Sequence, residues 1–392
     1  MGKNRFEMKQ VKGKRELTDL EKADCLTGKM MGGIALKALG FGDGKRRRFA
    51  FDDRDCYFHC MSRCAGGDLL FGDVEKEAFR KLMRRLERFS GVEVLTYVVM
   101  GNHFHLLLKV PERAKFLRRF EKGTRAEREA RLFEHLKLLY SKAYLTQLEA
   151  ELAVMTEKGM DELYEKTIQG YLKRLCSLEH FMKELKERFS RWFNKRHGRR
   201  GTLWQDRYRS ILVEDGEALR TMGAYIDLNP VRAGLVDDPK DYRWCGFAEA
   251  LGGSKRARRG ICVILRSTVA SWEGRGREAY RNLLLGEGIE AGEEMKAAEK
   301  AGGRRFWKRG IKREKALAEL QKGKVLSQAE LLRCRVRYFS DGLVLGSRDF
   351  VEKAFREKRE WFGRTRKTGA RGLPVEGGKL YALRDLKVRA LE

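Results

Sequence analysis

Several common features are scarce or missing in this sequence. Only four prolines occur, and the eight cysteines include no CxxC pair, so neither a zinc nor an iron–sulfur site is indicated. No apolar run approaches the roughly 20 residues of a membrane helix, and the N-terminal MGKNRFEMKQ lacks the apolar segment of a secretory signal. Walker A and GxGxxG loops are also missing. We therefore expect a cytoplasmic protein with free thiols and no ATP site.

What the chain has in excess is positive charge. Lys and Arg number 85 against 56 Asp and Glu, which gives a formal net charge of +29. Basic side chains bind polyanions because each contact with a phosphate releases a condensed counterion. The excess favours a nucleic acid as the partner and a nucleoid-associated location. Ribosomal binding, membrane-surface binding and simple solubility are the alternatives.

Between residues 56 and 110 the hydrophobic pattern is regular. It alternates in the apolar runs, repeats at helical spacing between them, and includes the hairpin-type turn signal Gly101-Asn102. The predicted elements are a strand at residues 57–63, a helix at 74–89, and strands at 92–100 and 103–110. This order opens a ferredoxin-like sheet, so we predict an α+β fold with an antiparallel sheet.

The rest of the chain divides by composition. A basic N-terminal extension covers residues 1–48, and the predicted core domain covers residues 49–250, with a long, charged helical insertion at about 112–197. A further strand is predicted at residues 209–213. Residues 251–392 contain 35 Lys and Arg against 18 Asp and Glu. We predict a separate, mostly helical basic region there.

The C-terminal region has a local pattern of its own. A capping box at residues 327–330 precedes one predicted helix, a turn is predicted at residues 340–346, and a second helix begins at about Ser347. Two short basic helices could form a DNA-binding module that resembles a helix-turn-helix, or their charges could only solvate a helical cap. The residues of the first helix predicted to contact DNA are Arg333, Arg335 and Arg337.

The first pattern that carries chemistry is His103-Phe104-His105 on a predicted strand. Alternation directs both imidazoles to one face of the sheet and Phe104 to the other. Two histidines on one face can share a divalent ion. The alternative is a pair of ordinary sheet histidines.

The second pattern is Tyr225 followed by Asn229 near the end of a predicted helix that runs towards Leu228. Residues four apart are neighbours on one helical face, so a phenol lies beside an amide oxygen. That pairing suits a nucleophile beside a metal ligand. A tyrosine near a helix end is, alternatively, a packing residue. Pro230 helps to end the helix because it disfavours the helical conformation at Asn229.

The third pattern interleaves aromatic and basic residues at positions 201–209, GTLWQDRYR. Proteins commonly hold single-stranded nucleic acids by stacking bases on aromatic rings and by contacting phosphates with basic groups. Trp204 and Tyr208 could supply the rings. Alternatively, the two rings fill the core under a loop.

Taken together and in this order, YVVMGNHFHLLLKV, GTLWQDRYRS and GAYIDLNPVRAGLV followed by DYRWCGF resemble the single-tyrosine HUH transposases. The similarity is to the branch of REP-associated tyrosine transposases, related to insertion-sequence transposases. It covers roughly residues 56–250. The resemblance implies a ferredoxin-like catalytic domain that acts on single-stranded or hairpin DNA.

Transferred by position, the resemblance gives each pattern a role. His103 and His105 would hold a divalent cation, Mg²⁺ in the first place with Mn²⁺ as an alternative, and Asn229 would be the third ligand. Tyr225 would be the nucleophile that forms a 5′-phosphotyrosine. His59 is a rival for the third ligand. Residues expected to contact DNA in the core domain are Arg63, Trp204, Gln205, Arg207, Tyr208, Arg209 and Arg232.

The sequence departs from compact members of that family. The gap between the histidine pair and Tyr225 is long, Gly101 stands where proline is frequent, and both ends carry basic additions. Two other functions use the same fold, namely a catalytically inactive hairpin-DNA binder and a rolling-circle type of nicking initiator. The sequence leaves open whether the protein is a monomer or a homodimer.

Overall fold

The computed structural model describes residues 48–49, 51–285, 338–373 and 379–383. The N-terminal extension up to residue 47 lies outside the described residues. So do the capping box at residues 327–330 and the three arginines predicted to contact DNA from the first C-terminal helix, namely Arg333, Arg335 and Arg337.

One sheet organises the described residues. Its order is β2-β3-β1-β4-β5-β7-β6, and the first four strands pair antiparallel with their neighbours in the order of a ferredoxin-like sheet. The predicted α+β fold is confirmed. The strands are β1 (Cys56–Arg63), β2 (Glu93–Val99), β3 (His103–Val110), β4 (Arg209–Val213), β5 (Val344–Gly346), β6 (Ala370–Gly372) and β7 (Tyr381–Leu383).

Several of the helices that surround this sheet begin at a side-chain cap. Ser177 caps the longest of them and Thr124 another, each accepting a hydrogen bond from a backbone N–H in the first turn. None of the described helices is both long and apolar enough to cross a bilayer. They are α1 (Asp73–Ser90), α2 (Arg113–Glu121), α3 (Arg125–Leu136), α4 (Lys142–Glu157), α5 (Asp161–Leu172), α6 (Leu178–Arg196), α7 (Glu217–Asp227), α8 (Asn229–Arg232), α9 (Gly246–Leu251), α10 (Lys255–Ile264), α11 (Arg277–Leu285), α12 (Tyr338–Asp341) and α13 (Arg348–Glu357).

The predicted helical insertion is present as the five helices α2 to α6. The last of them, α6, packs against α1 on one face of the sheet. The opposite face is covered by α7 and by α9 to α11, which enclose a second core. Alternation along β3 divides its side chains between the two cores, with Phe104 and Leu106 on the α6 side and Leu107 on the α7 side. His103 and His105 therefore point towards α7.

The C-terminal region differs from its prediction. The turn predicted at residues 340–346 contains strand β5, which pairs in parallel with β4 through Leu212–Val344 and Val213–Leu345, so the sheet is not wholly antiparallel. The physical reason is that β4 would otherwise leave an unpaired edge, which β5 covers, while β7 pairs with the other side of β5. The second predicted helix is confirmed as α13, and the Ser347 hydroxyl accepts a hydrogen bond from the N–H of Phe350.

The six described cysteines are free and buried, as expected for reduced thiols. Cys56, Cys60 and Cys64 all lie in the core on the α6 side, so their spacing of four reflects one face of β1 and its continuation.

A close approach between α10 and β2 makes Gly260 a sensitive position. A Cβ atom at Gly260 would lie 2.3 Å from the carbonyl oxygen and 2.7 Å from the Cα of Leu95, and both are backbone atoms that cannot turn aside. Gly260→Ala is therefore expected to lower the free energy of unfolding by about 3 kcal/mol or more, measured by urea denaturation. Gly170 in α5 is the matched control because nothing lies within 4 Å of the position that a Cβ atom would take there. Gly170→Ala should raise stability by about 0.5–1 kcal/mol, and equal effects at both sites would contradict the packing described.

Candidate active site

The two histidines of β3 lie side by side on the face of the sheet that α7 covers. His103 is half-buried and His105 is only 3% exposed. Their ring centroids are 5.2 Å apart and the ring planes are nearly perpendicular, at 83°. In the β1–β3 ladder, His103 stands opposite Arg63 and His105 stands opposite Met61. The alternation predicted from the sequence thus brings both imidazoles to one place.

Asn102 determines which nitrogen of His103 carries the proton. The Asn102 amide nitrogen donates to the carbonyl of Gly67 at 2.7 Å, which leaves its Oδ1 to face Nδ1 of His103, also at 2.7 Å. An amide oxygen only accepts, so His103 must donate from Nδ1. In the neutral ring, Nε2 is then the basic nitrogen.

His59 lies behind His105 on β1 and is fully buried. Its Nδ1 is 2.7 Å from the carbonyl oxygen of Phe339, and its Nε2 is 2.8 Å from Nδ1 of His105. Burial lowers the pKa of His59 to about 4, so the ring is neutral near pH 7. Both ring nitrogens therefore face partners other than a ligand shared with His103. This geometry does not support the rival assignment of His59 as third metal ligand.

Tyr225 lies on α7, and its ring packs against that of His105. Its ring centroid is 6.5 Å from that of His105 and 4.9 Å from that of Phe339. The guanidinium carbon of Arg232 lies 3.9 Å from the centroid of the Tyr225 ring, and the same side chain donates to the Tyr225 carbonyl at 2.6 Å. The residue is only 2% exposed. Two motifs that lie far apart in the sequence are thus in contact.

Asn229 follows a break in the helix. The helix α7 ends at Asp227, and the short helix α8 begins at Asn229 with Pro230 as its next residue. Asn229 is therefore itself helical, contrary to the prediction that Pro230 would keep it out of the helical conformation; proline is tolerated here because it lies in the first turn of α8, where its missing N–H has no helical partner to lose. Leu228 between the two helices keeps right-handed helical angles, φ −81° and ψ −2°. Asn229 is half-buried.

Asp227 anchors α7 from its other side. This fully buried carboxylate accepts hydrogen bonds from the hydroxyl of Thr96 at 2.7 Å, the hydroxyl of Tyr280 at 2.6 Å and the backbone N–H of Phe247 at 3.1 Å. Burial raises its pKa to about 6, although these hydrogen bonds oppose the rise. The three donors come from β2, α11 and α9, so one side chain ties the tyrosine helix to three elements.

The donor set suits a divalent cation of intermediate hardness. In the part of the chain that the structure describes, no three His, Cys, Asp or Glu side chains form a metal-binding group. A cation at this site would instead use the Nε2 atoms of His103 and His105 with an amide oxygen such as that of Asn229. Mg²⁺ prefers oxygen ligands, so the two imidazoles favour a softer ion such as Mn²⁺, and three protein ligands would leave coordination positions for water or phosphate oxygens.

The aromatic rings of the 201–209 segment are in the core. Trp204 and Tyr208 are each 7% exposed, and Trp204 packs edge-on against Phe104 at 5.4 Å and Phe71 at 5.8 Å. The alternative interpretation is the observed one: the two rings fill the core. Base stacking on them, as predicted from the sequence, is not available in this conformation, because Phe71 and Phe104 pack on Trp204 and the Arg48 guanidinium lies over the Tyr208 ring.

The polar residues of the segment point outward. They lie next to the end of the sheet that carries His103. Gln205 and Arg207 are exposed, and the backbone N–H of Gln205 donates to the carbonyl of Arg63 at 2.9 Å. Arg63 is exposed and lies opposite His103. Arg209 forms an ion pair with Asp341, and Arg232 packs on Tyr225, so these two predicted DNA contacts also have partners within the protein.

A groove of about 890 Å³ runs between α6 and residues 201–208. Basic residues outnumber acidic ones in its lining, which contains Arg48, Lys183, Lys186, Arg191 and Arg207 against Glu179, Glu187 and Asp206. Lys186 donates to the backbone carbonyl of Asp206 at 2.7 Å. Burial lowers the pKa of Lys186 to about 8, and the nearby Arg48 adds to the effect.

The lowered pKa of Lys186 predicts a pH effect on stability. An unfolded lysine keeps its proton up to about pH 10.4, whereas the folded one loses it near pH 8, so the unfolded chain binds more protons between these values. The unfolding free energy of the wild type should therefore rise with pH relative to Lys186→Met, by up to about 3 kcal/mol from pH 8 to about pH 10. Paired denaturation curves measure the difference, and parallel pH profiles would contradict it.

Sequence reasoning missed four contributors to the site, namely Asn102, Lys186, Asp227 and Phe339. Asn102 could have been found, because it directly precedes the histidine motif. The other three could not be found by pattern, because each acts through contacts with segments that are distant in the sequence.

No protein-family model and no curated protein matches the chain. Among solved structures, the chain is similar to a REP-associated tyrosine transposase bound to a REP hairpin, with a TM-score of 0.33 and 14% sequence identity. The alignment covers 54% of this chain and 87% of that chain. A likeness this low does not assign a function, which therefore depends on the geometry of the site.

Proposed function

We propose that this protein is a metal-dependent transposase of the single-tyrosine HUH type, which cuts and rejoins single-stranded DNA at hairpin-forming repeats. The observation that carries the proposal is the meeting of His105 with Tyr225, whose ring centroids lie 6.5 Å apart, beside His103. Two imidazoles and a phenol from distant segments converge where the resemblance requires a cation and a nucleophile.

The reaction that suits these groups is a transesterification. The Tyr225 oxygen attacks the phosphorus of a DNA phosphodiester, the bond from phosphorus to the 3′ oxygen breaks, and the phenol proton is lost while the leaving 3′ oxygen gains one. The products are a 5′-phosphotyrosine and a free 3′-hydroxyl. Attack by a second 3′-hydroxyl reverses the step and joins two strands. The number of phosphodiester bonds is conserved, so no nucleotide triphosphate is needed.

The protein's own residues address the weakness of a phenol as a nucleophile. An ordinary tyrosine has a pKa near 10 and is mostly protonated at neutral pH. Arg232 places its positive charge over the Tyr225 ring at 3.9 Å, where it can stabilise developing negative charge on the phenol. A bound divalent cation would polarise the scissile phosphate and offset charge in the transition state.

The surface charge supports a path for the DNA. Arg63 lies beside His103, the exposed Gln205 is bonded to the backbone of Arg63, and the basic groove between α6 and residues 201–208 continues from there. We place the strand along this line, with its phosphates near Lys183 and Arg207. The affinity should fall steeply with salt, because phosphate contacts release counterions.

A second candidate is a hairpin-DNA binder that does not cut. It is favoured by the burial of Tyr225, which is 2% exposed beneath Phe339 and Arg232 and must be uncovered before a phosphate can reach its oxygen.

The test uses purified protein with hairpin oligonucleotides from repeats beside the gene, each labelled in one experiment at the 5′ end and in another at the 3′ end. With Mg²⁺ or Mn²⁺, denaturing gels should show protein linked to the 3′-labelled fragment and a free 5′-labelled fragment with a 3′-hydroxyl. Addition of EDTA should remove both products. Tight, salt-sensitive binding without any cleavage would instead establish the binder.

A further inference from the structure

We propose that His59 is a positioning residue that fixes His105 in the Nδ1–H tautomer through a chain of hydrogen bonds that begins at the carbonyl of Phe339. The use of His105 as a metal ligand rests on the proposed function. The hydrogen-bond chain itself does not, since it follows from the geometry of three buried groups.

The direction of the chain follows from its first member. The carbonyl oxygen of Phe339 can only accept, so the 2.7 Å contact requires a proton on Nδ1 of His59. His59 is fully buried, and neither of these two partners is an anion, so a charged ring would be costly there. The neutral His59 ring therefore has its lone pair on Nε2.

The second hydrogen bond, from His105 to His59, fixes the tautomer of His105. The lone pair on Nε2 of His59 faces Nδ1 of His105 at 2.8 Å, and the two ring planes are nearly parallel, at 15°, with their centroids 5.0 Å apart. This contact is a hydrogen bond only if His105 donates from Nδ1. In the neutral ring the basic nitrogen of His105 is then Nε2, which is the atom a metal would bind.

His103 is held in the same Nδ1–H tautomer by a different hydrogen-bond acceptor. Asn102, held by Gly67, accepts from Nδ1 of His103 at 2.7 Å. Both histidines of the motif thus have a hydrogen-bond acceptor at Nδ1 and a basic nitrogen at Nε2. A partner of this kind orients a ligating imidazole and raises its basicity.

These hydrogen bonds also connect the histidines to the C-terminal region. Phe339 lies in α12, and its ring packs on Tyr225 at a centroid distance of 4.9 Å while its carbonyl holds His59. One residue of α12 thus contacts the tyrosine and, through His59, sets the tautomer of His105.

The direct test is the tautomer itself, read in the metal-free protein by long-range proton–nitrogen NMR correlation with labelled histidine. The protein has only six histidines, so the spectrum is simple to assign. We expect the Nδ1–H form at His59, His103 and His105. An Nε2–H form at His105 would overturn the proposal, whether or not the protein cleaves DNA.

Two variants separate positioning from simple filling of space. In His59→Gln, the side-chain amide can donate to the Phe339 carbonyl and its oxygen can accept from His105, so the tautomer should be retained. In His59→Leu, the volume is kept but the polarity is lost, so His105 should shift to a mixture of tautomers. If His59→Leu fails to fold, the wild-type and His59→Gln spectra still decide the proposal.

Binding of Mn²⁺ alone, measured by electron paramagnetic resonance, gives an independent readout. His59→Leu should weaken binding by about 10- to 100-fold, and His59→Gln should restore most of it. Unchanged tautomer and affinity in His59→Leu would overturn the positioning role. A wild type that has the expected tautomers but binds no Mn²⁺ would uphold the hydrogen-bond chain and count against the proposed function.

Discussion

Tyr225→Phe is expected to abolish the covalent protein–DNA adduct, lowering its rate of formation by at least about a thousandfold. The substitution removes only the hydroxyl that would attack phosphorus. The ring keeps its contacts with Phe339 and with the Arg232 guanidinium, so the fold and the affinity for hairpin DNA should change little. Adduct yield is read on denaturing gels, and affinity on native gels at fixed salt.

Tyr208 provides the matched control for this substitution. It is also a buried tyrosine, and the guanidinium carbon of Arg48 lies 3.9 Å from its ring centroid, the same distance as Arg232 from Tyr225. Tyr208→Phe should leave the adduct intact. An adduct that persists in Tyr225→Phe, or that disappears equally in both variants, would contradict the assignment of the nucleophile.

Asp227→Ala is expected to lower the free energy of unfolding by about 3–5 kcal/mol. The substitution leaves the hydroxyls of Thr96 and Tyr280 and the N–H of Phe247 buried without their acceptor, and each such group costs about 1–3 kcal/mol. Urea denaturation, with the slope compared between proteins, measures the loss.

Asp227→Asn is the control for the charge of this carboxylate. Its amide oxygen can still accept, and the two hydroxyl partners can rotate, so a loss of only about 1–2 kcal/mol is expected. Because α7 carries Tyr225, the Ala variant should also lose adduct formation at temperatures where it is still mostly folded. An Ala variant as stable as the wild type would show that the buried carboxylate does not anchor this helix.

Much of the fold could be predicted because the hydrophobic pattern of the core strands indicates which side chains are buried on each face. Alternation around Phe104 separates two faces, and Gly101-Asn102 marks the hairpin between β2 and β3. The same alternation placed His103 and His105 together, since a period of two fixes the face of every second residue.

The C-terminal strands could not be predicted in this way. Strands β5, β6 and β7 have three residues each, too few for alternation to appear. Their pairing depends on the free edge of β4, which becomes available only after the core sheet has formed. The residue pattern therefore predicts a turn where Val344 and Leu345 pair with β4.

The roles of individual side chains were harder to predict than their positions. Trp204 fits a stacking role by composition, yet Phe71, Phe104 and Phe189 enclose it in the core. His59 fits a metal ligand by residue type, yet its two nitrogens face Phe339 and His105. Both outcomes depend on contacts between distant segments, which residue type and spacing do not encode.

The most direct measurement is the identity of the residue that carries DNA. The adduct formed with hairpin DNA and Mg²⁺ is digested with a nuclease and a protease, and the peptides are sequenced by tandem mass spectrometry. The proposed mechanism predicts a nucleotide joined through its 5′ phosphate to Tyr225. Attachment to any other of the twelve tyrosines, or through a 3′ phosphate, would contradict it.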